Sequence, residues 1–201
     1  MDLVVSRVSN GRATKLLFNC KEGLEAKVTG PFGRLTLPED KPGRLVLVAT
    51  SVGLAPFIPI LKKLETSGYS EVLLLLGVRD RSEFIYGDLL QIYADEHEYF
   101  EFRLCLSREK AIAKYERVGY VNAQIDVLEV NPESDHFLLC GNPAMIDDVW
   151  GKLKERGVKS KNVVREKYVF ARESSRSARS LTAQQKQLIA EKLKKYGKQP
   201  L

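Results

Sequence analysis

"RLVLVATSVGLAPFIPILKKL" (Arg44–Leu64) decides the fold. Its first part is apolar without alternation, the pattern of a strand buried on both faces, which in practice means a parallel sheet covered by helices. The run breaks at Ser51–Pro56 and resumes as an apolar helix, with Pro56 and Pro59 in the first turn, where a missing N–H costs little. A strand that turns sharply into a helix is the building unit of α/β proteins. It is also where such proteins place phosphates: Gly53 would let the backbone approach an anion, and the helix that follows offers free N–H groups and a positive dipole end. A plain packing turn accounts for the same residues equally well.

The pattern repeats outward. Apolar runs "EVLLLLGV", "FEFRLCLS", "HFLLCG" and "NVVREKYVF" alternate with the helical stretches "SEFIYGDLLQIYADE", "VNAQIDVLEV" and "PAMIDDVWGKLKERG". In the last helix Asn142 caps, Pro143 opens and Gly157 closes, while Met145, Val149 and Leu153 recur every four residues as a buried stripe. The expectation is an α/β fold, a doubly wound five-stranded parallel sheet with helices on both faces, over residues 44–171. Residues 1–43 differ. "LVVSRVS", "LEAKVTG" and "RLTL" read as short β segments around a helix-like "RATKLLFNC", too little for a closed β domain and expected to be a partial antiparallel β-barrel whose beginning is absent. Residues 172–201 start Ser/Arg-rich and become a basic helix, with capping-box spacing at Thr182 and Gln185 and an apolar stripe of Leu181, Leu188, Ile189 and Leu193.

Composition removes several classes of function. No apolar stretch reaches transmembrane length, and the N-terminus lacks a signal pattern. Three scattered cysteines and two histidines argue against a disulfide framework or a metal cluster and for a reducing cytoplasm. The net charge of +6 is a property of the tail: of 32 basic and 26 acidic side chains, eight and two fall in residues 172–201, which leaves 24 of each in the rest. A neutral body does not suggest a polyanion-binding surface, so nucleic acid is not an expected partner. The tail itself reads as a solvated helix, with an acidic partner, a membrane or a nucleic acid as the alternatives.

Five segments then occur in register: "GPFG" (Gly30–Gly33), "TSVGLAPF", "GVRDRSEFIYGDLL" (Gly77–Leu90), "LSRE" (Leu106–Glu109) and "LCGNPAM" (Leu139–Met145). Together they resemble the ferredoxin–NADP reductase superfamily, which includes flavodoxin reductases and oxygenase reductase components, over about Leu3 to Phe170. The resemblance implies a flavin barrel followed by a nicotinamide-nucleotide domain, with hydride passing between nicotinamide C4 and flavin N5, and onward electron transfer to a ferredoxin or flavodoxin-like carrier or another redox subunit. It implies that Thr50, Ser51, Gly53, Ala55 and Pro56 line the pyrophosphate and nicotinamide region. Cys140 would lie against the nicotinamide as the catalytic residue, with Gly141, Asn142 and Met145 shaping the same pocket. Ser107 and Arg108 match the family's 2′-phosphate pair, Arg117 and Tyr120 complete the adenosine site, and Arg79 with Arg81 adds positive charge beside Asp80. Arginine rather than an acidic residue at that place suits NADP over NAD; the alternative is that Arg108 and Arg117 are ordinary solvated charges.

The sequence departs from the family in two places. Ser51 stands where the nucleotide turn usually has its first glycine. The principal flavin motif, Arg-x-Tyr followed by Ser or Thr, is absent, and only Gly11 and Thr14 in "GRAT" match the turn that touches flavin pyrophosphate. NADP is therefore the expected cofactor, with FAD weak or absent in this chain alone. The chain is expected to be either a fragment of a longer reductase, self-associating through its incomplete barrel, or a nucleotide-binding regulatory subunit without flavin or catalysis of its own.

Overall fold

The computed structural model describes residues 3–8, 11–30, 33–38 and 43–168. The basic tail read at 172–201 lies outside the described residues. The elements run α1 (Arg12–Asn19), β1 (Arg44–Thr50), a 3₁₀ turn (Ser51–Phe57), α2 (Ile58–Leu64), β2 (Val72–Val78), α3 (Gly87–Glu96), β3 (Phe100–Leu106), β4 (Glu116–Val118), α4 (Asn122–Val127), β5 (Asp135–Gly141), α5 (Pro143–Glu155) and β6 (Val163–Lys167). Every strand pairing is parallel, in the order β4-β3-β2-β1-β5-β6.

The period of two along each strand sorts its side chains between two cores. Leu45, Leu47 and Ala49 of β1 face one layer, where Leu54, Phe57, Ile60, Leu61 and Leu64 of the turn and α2 meet Leu90 and Tyr93 of α3. Val46 and Val48 face the other, with Ile125 of α4 and Met145, Ile146, Val149 and Leu153 of α5. Five consecutive buried residues in β1 explain its unbroken apolar run. The cap read at Asn142 is present, its side-chain oxygen accepting from the Ala144 N–H at 2.8 Å, and Gly157 closes the helix at φ 82°.

Two expectations need correction. The sheet has six strands, not five: β4 is three residues long, and its Glu116 and Arg117 hide it from any search for apolar runs. Ahead of Arg44, no described residue lies in a strand. The helix-like segment is indeed α1, but "LVVSRVS", "LEAKVTG" and "RLTL" are irregular where described, with Leu3, Leu24 and Val28 exposed. A β segment requires a neighbour to take its N–H and C=O groups, and none of the described residues provides one there.

Candidate nucleotide site at the carboxyl edge

Because the sheet is parallel, the carboxyl ends of its strands share one edge. The chain steps from β1 through β2 and β3 to β4, then returns to lay β5 on the opposite side of β1. The reversal of strand order falls between the ends of β1 and β5, the place where open α/β sheets hold ligands. Thr50, Ser51 and Gly53 stand at the end of β1 and the start of its turn, and Cys140, Gly141 and Asn142 at the end of β5 and the cap of α5. Ala55 and Pro56 lie further along the turn, and Met145 is buried in the core on the α5 face.

The two strand ends are tied closely. Thr50 Oγ1 accepts from the Asn142 N–H at 2.8 Å. Thr50 stands at the N-cap of the Ser51–Phe57 turn, yet its hydroxyl is committed to the neighbouring strand and makes no cap bond to its own turn. The leading N–H groups of that turn are thus left without a side-chain acceptor, as an anion site requires. Gly53 is needed for packing as well: a Cβ there would lie 2.5 Å from the Cys140 carbonyl oxygen. Gly141, at φ 128°, would put a Cβ 2.9 Å from the Thr50 carbonyl oxygen. Ser51 adopts φ 50°, the left-handed region that a glycine takes without cost.

Cys140 is fully buried. Burial pushes its thiol up to about 12, opposed by the neighbouring Tyr168 hydroxyl. Tyr168 follows β6, and its N–H donates to the Gly141 carbonyl at 2.8 Å. Sequence reasoning passed over Tyr168. The signal was its place just past β6, whose Lys167 pairs in register with Gly141.

Further along the edge lie the candidates for the adenosine end. Ser107 and Arg108 follow β3, where the Ser107 N–H donates to the Val78 carbonyl at 3.1 Å and the Arg108 N–H to the Arg79 carbonyl at 2.8 Å. The structure thereby sets the segments after β2 and β3 side by side. Their arginines are unequal. Arg79 is ion-paired with Glu83. Arg81 pairs with Glu109 and, at 2.5 Å, with the buried Glu116. Arg117 turns its guanidinium onto the carbonyls of Lys114 and Glu116, at 2.7 Å each. Arg108 is exposed and, among the described residues, has no ion-pair partner. The Tyr120 ring, after β4, is 73% exposed.

These features fit a nicotinamide nucleotide: two close-packed glycine positions where the strand order reverses, uncapped N–H groups and an arginine outside every ion pair among the described residues. Gly11 and Thr14 open α1, and the Thr14 hydroxyl donates locally to the carbonyls of Val8 and Gly11, each at 3.2 Å. No described strand stands beside them to cradle a ring system. No group of acidic, histidine or cysteine side chains among the described residues is arranged to hold a metal ion.

The model of the oxidoreductase NAD-binding domain matches residues 47–150, just over half of the chain. The chain belongs to that family. This NAD-binding domain is 31% identical to the ferredoxin–NADP reductase of Pseudomonas aeruginosa over 172 residues, taking in 76% of this chain and 66% of the relative. It is 29% identical to the ferredoxin–NADP reductase of Azotobacter vinelandii over 169 residues, again with 76% and 66% covered. The chain thus spans slightly under two thirds of the length of either reductase. The solved cytochrome P450 reductase of Amycolatopsis superposes with a TM-score of 0.69 at 33% identity, over 81% of this chain and 50% of the other. A ferredoxin–NADP reductase from Neisseria gonorrhoeae, solved with bound FAD and NADP, shares the fold at a TM-score of 0.65 and 24% identity, over 80% of this chain and 71% of the other. The resemblance to the ferredoxin–NADP reductase superfamily carried by the five sequence segments therefore holds.

Proposed function

We propose that this NAD-binding domain holds NADP(H) where β1 and β5 end and serves an NADPH-dependent flavoprotein oxidoreductase of the ferredoxin/flavodoxin–NADP reductase type. The pyrophosphate lies against the Ser51–Phe57 turn, the nicotinamide against the ends of β1 and β5 near Cys140, and the 2′-phosphate against Ser107 and Arg108. The chemistry at such a site is hydride transfer at nicotinamide C4, which needs no acid or base from the protein. Holding the ring in place carries the catalysis, and close backbone packing at Gly53 and Gly141 supplies a rigid floor for it. The ferredoxin or flavodoxin-like electron carrier and the cytoplasmic setting belong to the same proposal.

Arg108 carries the reading. An exposed arginine outside every ion pair among the described residues, with Asp80 in its electrostatic reach and two neighbouring arginines neutralised by glutamates, suits a phosphate arriving with the ligand. Calorimetric titration of the 201-residue chain is expected to show NADP binding more tightly than NAD. Arg108→Ala should weaken NADP about tenfold or more and leave NAD nearly unchanged. Equal losses for the two nucleotides remove Arg108 from this role.

The engagement of the Thr14 hydroxyl with its own backbone favours a second reading, in which the chain binds nucleotide as a subunit and another chain contributes the flavin. Absorbance separates the two, since bound oxidised flavin is yellow.

A further inference from the structure

A carboxylate buried at the ligand edge of the sheet requires an explanation, and Glu116 is one. It is 4% exposed and accepts four hydrogen bonds. Two come from one guanidinium, from Arg81 Nε to Oε1 at 2.7 Å and from Arg81 Nη2 to Oε2 at 2.5 Å. Two come from backbone N–H groups, Ile112 at 2.6 Å and Ala113 at 2.9 Å, both to Oε2. Arg81 reaches further along the same loop, donating from Nη2 to the Lys110 carbonyl at 2.8 Å and from its backbone N–H to Glu109 Oε2 at 2.9 Å.

Each of these bonds joins the segment after β2 to the β3–β4 connection or to the first residue of β4, or ties that connection to β4. The connection begins with Ser107 and Arg108. It carries Ile112, which is 84% exposed, so apolar burial does little to order it at that point. Backbone bonds anchor its start at Ser107 and Arg108 and Tyr115 packs its end on Phe102, while between them it is tied by the carboxylate of Glu116 and the guanidinium of Arg81. We propose that Arg81 and Glu116 are positioning residues for nucleotide recognition: the pair holds the loop so that Arg108 presents its guanidinium to the 2′-phosphate, and the preference for NADP over NAD depends on a buried ion pair that does not touch the ligand. The inference rests on the NADP reading above.

The pair has the properties this role requires. A guanidinium and a carboxylate joined by two parallel bonds fix direction as well as distance. The arginine and the two N–H groups hold the Glu116 carboxyl down to about 2, so it remains charged throughout the neutral range.

The test is titration of the full chain with NADP and with NAD by calorimetry, for the wild type and for Arg81→Met, Glu116→Gln, Arg108→Ala and the double variant Arg81→Met/Arg108→Ala. Arg81→Met and Glu116→Gln should each raise the Kd for NADP about fivefold or more while the Kd for NAD stays within about twofold. In the Arg108→Ala background, Arg81→Met should cost little further NADP affinity, because it acts through Arg108. Arg81→Lys, which keeps the charge and loses the fork, should fall between. Glu116→Gln keeps the side chain's shape and one acceptor, so it stands as the independent variant if Arg81→Met does not fold. Equal weakening of both nucleotides, additive losses in the double variant, or unchanged NADP affinity in Arg81→Met and Glu116→Gln would each overturn the inference. Should Arg108→Ala itself leave NADP binding intact, the underlying placement of the 2′-phosphate is what has failed. If Arg108→Ala weakens NADP and Arg81→Met and Glu116→Gln do not, only the positioning role falls.

Discussion

Ser51 is a local conflict between residue and backbone. At φ 50° its Cβ is crowded against the adjoining peptide, a cost of about 1 kcal/mol that glycine does not bear. The conformation persists because its surroundings determine it: Thr50 is bonded to Asn142 on one side, and Gly53 packs on the Cys140 carbonyl on the other. Ser51→Gly should therefore raise the unfolding free energy by up to about 1 kcal/mol, reduced by the greater freedom glycine gives the unfolded chain, with NADP affinity retained. Urea unfolding of the two proteins measures it. A loss of stability would mean that the serine hydroxyl contributes more than the backbone costs. The same residue shows where one-letter reading stops. That a glycine is usual at this turn was visible in the sequence, but the positive φ that makes it usual was not.

At the level of elements, legibility follows burial. β1, β2 and β5 are legible nearly to the residue because each is buried along most of its length and reads as an apolar run, and β3 is legible from its apolar Leu104–Leu106 end although Glu101 and Arg103 interrupt it. β4 was missed because a short edge strand needs no such run, and its one buried side chain, Glu116, is stabilised by pairing rather than by apolarity. The candidate site divides the same way. Turn residues with a local signature, such as Gly53 and Asn142, are legible in the sequence, as is the charge of Arg81, whereas the pairing of Arg81 with Glu116, and Tyr168, act across segments and have no spacing to give them away. The Glu116 pair also makes a testable contribution to stability. Its carboxyl titrates at 4.5 when unpaired and at about 2 in the fold. A depressed carboxylate pKa stabilises the folded state above the unfolded value, so this contribution is complete above about pH 4.5 and is lost as pH falls toward 2. Urea midpoints between pH 6 and pH 3 should fall more for the wild type than for Glu116→Gln, which has no carboxyl to protonate at that position. Parallel declines would show that the Arg81–Glu116 pair adds nothing to folding.

At the scale of the whole molecule, burial is uneven along the chain. Residues 43–168 carry two buried cores and a parallel sheet, and, of the described residues before Arg44, Leu35 and Leu37 pack against the first of these cores. The residues before it have a different balance. α1 has no buried side chain, and Leu3, Leu16, Phe18, Leu24 and Val28 are exposed together with it. Apolar side chains in such numbers on one short stretch favour covering by another chain. Nucleotide binding and flavin binding should consequently separate in the purified protein. NADP should bind measurably, because its turn, its floor and Arg108 are in place. FAD should bind poorly, because the Thr14 hydroxyl is engaged with its own backbone and no described strand stands ready to hold the isoalloxazine. The protein should be nearly colourless and should associate with itself as concentration rises, which absorbance at flavin wavelengths and sedimentation velocity will record. Adding FAD should leave the sedimentation profile unchanged. A yellow monomer with stoichiometric FAD would contradict this, since the flavin would then have a binding surface that neither α1 nor the carboxyl edge of the sheet provides.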